Sequence, residues 1–97
     1  MAGRAKASET IDAAELRRAA EEAFLASMRT GLDVVRTTCS LAEREVGEKR
    51  TRHVQLAEKA FESTLAIVKR VEPNQQDRHD IEEARHGIRQ LGGRDFS

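Results

Sequence analysis

Apolar residues recur along this chain at helical spacing, and the clearest run is Leu25, Met28, Leu32, Val35, Cys39, Ala42, Val46, whose steps alternate three and four. That is a heptad seam, the stripe one helix presents to another. The seam keeps its phase across Thr30-Gly31, so one long helix over about residues 10–46 is preferred to two short ones. The rival is a break at residues 30–31. Thr30 to Asp33 has capping-box spacing, and the preceding apolar positions Ala13, Leu16, Ala20 and Phe24 lie offset from the seam. Thr10 is placed to cap this helix, with Asp12 and Glu15 in its first turns, and Gly47 is expected to end it as a left-handed C-cap.

A second helix is expected over about 49–71. Val54, Ala57, Phe61, Leu65 and Val68 run beside Leu56, Ala60, Ile67 and Val71, an apolar face wide enough for two neighbours. Glu72-Pro73-Asn74 stops it, because a residue preceding proline is pushed out of the α region. Asn74 or Asp77 then caps a third helix over about 77–91, with Ile81, Ala84, Ile88 and Leu91 on one face and Gly92-Gly93 at its end. Runs of strand period are missing, so the fold class is all-α: an antiparallel helical hairpin plus a third helix, with a long first helix. Residues 1–9 read as a disordered tail, 10–92 as one helical domain and 93–97 as a second tail.

The turn-bounded segment 30–73 resembles a single tetratricopeptide unit. Leu41-Ala42 matches the large-small pair of that family's first helix, and Ala57, Phe61 and Thr64 match the small, aromatic and small positions of its second. Glu45 stands where the family has an aromatic residue, and Lys69 where it has proline. The three-helix plan is also similar to microtubule-interacting-and-trafficking domains. Both resemblances imply an adaptor that takes partner segments in inter-helix grooves.

With 97 residues, 38% hydrophobic and 35% charged, the chain makes one thin core under a charged surface. Seventeen basic residues balance seventeen acidic ones, which removes the basic excess usual in nucleic-acid binders. The N-terminal residues lack a signal-peptide pattern and no run reaches the ~20 apolar residues of a spanning helix, so a cytoplasmic protein without membrane contact is expected. Cys39 is the single cysteine and lies on the seam, where a small buried hydrophobe is expected and a nucleophile is not.

Candidate chemistry is sparse, and no catalytic residue or cofactor is expected. His79, Glu83 and His86 share one face of the third helix, and Glu83-x-x-His86 has the spacing of di-iron bundles. A metal-binding bundle is therefore the alternative function, although this face lies opposite Ile81 and Ile88. Lys49, Arg50, Arg52 and His53 form the densest basic cluster, which keeps a nucleic-acid accessory role as a further alternative, one disfavoured by neighbouring Glu43, Glu45 and Glu48. Arg18 with Glu22, Glu45 with Lys49 and Glu48 with Arg52 have the spacing of surface ion pairs. A first helix of about 37 residues overhangs a second of about 21. The overhang carries Ile11, Leu16, Ala20, Phe24 and Leu25, so a non-enzymatic interaction module that pairs with itself as a homodimer is the expected function, with a second, unidentified protein as a further partner.

Overall fold

The computed structural model of the chain describes residues 12–96, which form α1 (Ala13–Glu43), α2 (Gly47–Val68) and α3 (Gln75–Gln90). The protein is all-α. α2 folds back along α1, and α3 runs beside the later half of α1, from Asp77 near Arg29 to Gly87 near Cys39. Asp12 caps α1, its carboxylate accepting from the Ala14 N–H at 3.2 Å. Thr10, the expected cap, lies outside the described residues, as does Ile11.

α1 runs through Thr30-Gly31 without interruption. Gly31 is there for space: a Cβ at this position would land on the hydroxyl oxygen of Thr64 across the hairpin. Thr64 is 1% exposed and satisfies its hydroxyl by donating to the Ala60 carbonyl at 2.8 Å. The glycine marks the closest approach of two helices, so a residue that ordinarily weakens a helix interior is retained within one. The capping-box pattern at Thr30 is not used as a cap; Asp33 pairs with Arg36 at 3.5 Å on the helix surface.

The helix ends differ from the expected ones by two or three residues. α1 stops at Glu43 and not at 46, because Arg44 turns its N–H onto the Leu41 and Ala42 carbonyls and closes the last turn early. Val46, the last member of the seam, is 86% exposed. Gly47 does adopt the left-handed region (φ +68°), but it opens α2 instead of ending α1. α2 begins two residues before the expected 49 and stops at Val68, short of 71, with Lys69 as its cap. α3 begins at Gln75 because Asn74 and Asp77 act together, not as alternatives. The Asp77 N–H donates to Asn74 Oδ1 at 2.7 Å, and the Asn74 N–H donates to Asp77 Oδ2 at 3.1 Å, a reciprocal capping box.

The core joins Met28, Leu32, Val35 and Cys39 from α1 to Ala57 and Phe61 from α2 and Ile81 and Ile88 from α3. Phe61 is fully buried, as its place on the widest apolar face requires. Residues 93–96, expected as a bare tail, instead pack on α2. Gly92 (φ +80°) turns the chain after α3, with its N–H to the Arg89 carbonyl and the Gly93 N–H to the Ile88 carbonyl, a Schellman motif. The next residues then fold inward: Arg94 pairs with Glu62 at 2.8 Å, and the Phe96 ring meets Phe61 edge-on with centroids 5.0 Å apart. Aromatic burial drives this docking, and a periodicity search of so short a segment gives no warning of it.

Candidate functional site

The N-terminal part of α1 carries the most conspicuous unpartnered surface. Every residue from Ala13 to Ala23 is exposed, and Leu16 keeps 55% of its surface in water. The expected interface set divides here. Leu16 and Ala20 stand free, whereas Phe24 and Leu25 are half-buried by the chain itself, Leu25 against the core and Phe24 beneath the Arg70 guanidinium at 5.9 Å.

At 100° per residue, the strip Ala13, Leu16, Ala20, Ala23 lies roughly 110° around the helix from the core seam Met28, Leu32, Val35, Cys39. The arm therefore does not extend the hairpin's own groove. Its apolar side faces a different direction and needs a different neighbour. Glu15, Arg17, Arg18, Glu21 and Glu22 surround this strip, all exposed and without an ion pair among the described residues. The expected Arg18–Glu22 pair is not formed, nor are Glu45–Lys49 and Glu48–Arg52. Glu45 turns instead to the His53 imidazole across the α1–α2 connection, both side chains about a quarter exposed.

The strongest polar contact in the molecule joins α1 to α3. Arg29 grips Asp77 with two parallel hydrogen bonds, Nε to Oδ1 at 3.0 Å and Nη2 to Oδ2 at 3.1 Å. The Asp77 side chain is 4% exposed while Arg29 is half in solvent. The Arg29 hydrogen bond holds the Asp77 carboxyl below the usual carboxylate range, against the opposing effect of burial, and the Asn74 N–H adds to it. One carboxylate thus caps α3 and docks it. The Asn74-x-x-Asp77 spacing signals the cap in the sequence, but nothing there links Asp77 to a residue 48 positions earlier.

Between α1 and α3 runs a groove of about 330 Å³ whose walls include Leu32, Cys39, Glu43, Glu83, His86 and Gly87. Cys39 is 8% exposed at its floor, and burial, reinforced by Glu43, pushes its thiol up, so it stays protonated and packs as a small apolar group. Gly87 keeps that floor open; a Cβ there would sit 3.7 Å from the Cys39 sulfur.

The metal-like trio does not assemble. His79 Nε2 meets Glu83 Oε1 at 3.1 Å on the solvent side, while Glu83 and His86, without His79, border the groove. Among the described residues no group of three or more His, Cys, Asp or Glu side chains is arranged to hold a metal ion. Lys49, Arg50 and Arg52 occupy the first turns of α2, where the helix dipole opposes cations, and not the C-terminal end of a helix that would favour them. Glu48 in that turn offsets them. No helix among the described residues is long and apolar enough to cross a membrane. Comparison with family models, with curated proteins and with solved structures returned no match.

Proposed function

We propose that this chain is a small non-enzymatic interaction module that pairs with a second copy of itself through the projecting arm of α1. One observation carries this reading: α1 continues as a single helix past the hairpin, and from Ala13 to Ala23 it has nothing packed on it. An isolated helix of that length is marginal in water, and an apolar strip along it gains stability when covered. A twofold pairing covers both strips with one surface, since each copy supplies the complement of the other. The adaptor role implied by the tetratricopeptide resemblance is compatible with this assembly, whose grooves between α1 and α3 stay open.

Light scattering across the micromolar range tests the proposal. Twice the mass of one chain is expected, falling to a single chain in Leu16→Glu with helicity of the hairpin retained. A single-chain mass for the unmodified protein at every concentration rejects it.

A further inference from the structure

The charges flanking the arm specify how two copies meet. Taking the strip Ala13, Leu16, Ala20, Ala23 as the contact line, helical geometry puts Arg17 and Glu21 on one flank, and Glu15 and Glu22 on the other. Arg18 lies on the far side. All of these side chains are exposed, and none has an ion pair among the described residues.

We infer that the two arms pair antiparallel, with the Arg17 guanidinium of each copy facing the Glu21 carboxylate of the other. The inference rests on the self-association proposed above and adds its orientation. In an antiparallel pair related by a twofold axis, like flanks meet. The Arg17/Glu21 flank of one copy then faces the same flank reversed, and with the axis near Ala19 each Arg17 lies opposite a Glu21. Symmetry makes two such pairs at once.

A parallel pair joins unlike flanks. It sets Glu21 of one copy beside the Glu22 edge of the other, a like-charge contact repeated on both sides. Attraction in one orientation and repulsion in the other is how flanking charges select helix direction. Small residues along the line, Ala13, Ala20 and Ala23, allow the backbones to approach closely enough for the side chains at the flanks to reach across.

Charge reversal separates the orientations. Arg17→Glu makes this flank wholly acidic, and Glu21→Arg makes it wholly basic, so each variant alone should raise the dimer dissociation constant on the order of tenfold or more. An equimolar mixture of the two should restore pairing as a heterodimer, because every flank contact is again between opposite charges. A chain carrying both substitutions should pair like the unmodified protein. Both positions are exposed, and circular dichroism of each variant verifies that the helices persist. Sedimentation equilibrium at low salt, where surface charge is least screened, gives the constants.

The outcomes are distinct. Restoration in the mixture and in the doubly substituted chain supports the antiparallel pair. A dimer indifferent to both reversals, or a mixture that stays monomeric, overturns the orientation while self-association stands. Unmodified protein that never exceeds one chain overturns the self-association and the orientation with it.

Discussion

The two halves of α1 share one backbone and differ in almost everything else. From Met28 to Ala42 the helix buries every third or fourth side chain against α2 and α3, and at Gly31 it has no room for even a methyl group. From Ala13 to Ala23 the same helix buries nothing. High alanine content and a good cap suffice to extend a helix from an anchored segment, because propagation costs little once the nucleus exists. Packing therefore anchors α1, and propensity carries it outward.

Substitutions in the packed half should break that contrast most severely. Phe61→Ala leaves a hole where α1, α2 and the Phe96 ring meet, and should cost about 3–5 kcal/mol in denaturant unfolding. Gly31→Ala sets two effects against each other: roughly 1 kcal/mol gained in helix propensity and a collision with the buried Thr64 hydroxyl. The collision wins, because Thr64 is short and fully enclosed, and a net loss of about 1–2 kcal/mol is expected. Adding Thr64→Ala removes the oxygen in the way, so the double variant should be less destabilised than the two losses summed.

The α1–α3 junction gives a comparable effect by another route. Asp77→Ala deletes the capping box and the anchor for Arg29, for an expected loss of about 1–2 kcal/mol. The same group makes stability depend on acid. Since the folded state holds Asp77 below its ordinary value, the contribution is fully present above about pH 4 and disappears as pH falls through the depressed folded-state value. Unfolding curves measured from pH 6 down to pH 2 should therefore flatten in Asp77→Asn relative to the unmodified chain. Smallest is the effect on the arm. Leu16→Glu, assayed where the chain is monomeric, should shift unfolding by no more than about 0.5 kcal/mol, and a larger loss would show that the arm is held by its own hairpin.

The sequence carries some of these features openly and hides others. Heptad spacing places Met28, Leu32, Val35, Cys39 and Ala42 inside, and all five are buried, because periodicity records which side of a helix faces its neighbour. It misplaces Val46, since the same spacing continues past the point where Arg44 closes the helix. Gly31 reads equally as a stop or as a close contact until Thr64 is seen opposite it. Arg29 with Asp77 and Phe61 with Phe96 are invisible for a shared reason: each joins residues far apart in sequence, and each depends on where α3 settles across the hairpin.

The unbroken passage of α1 through Gly31 also makes the helix a protractor. Each residue between arm and hairpin sets a rotation of about 100° and an advance of about 1.5 Å, so whatever grips the arm is held at a fixed bearing to the α1–α3 groove. Inserting a single alanine after Ser27 would swing the groove about a third of a turn away from an arm-bound partner without altering a contact in the core. Inserting seven would return it to within about 20° of its first bearing, displaced by about 10 Å along the rod. Any activity that needs arm and groove to act on one target should follow that angular rhythm, and one that uses the arm only as a tether should ignore it.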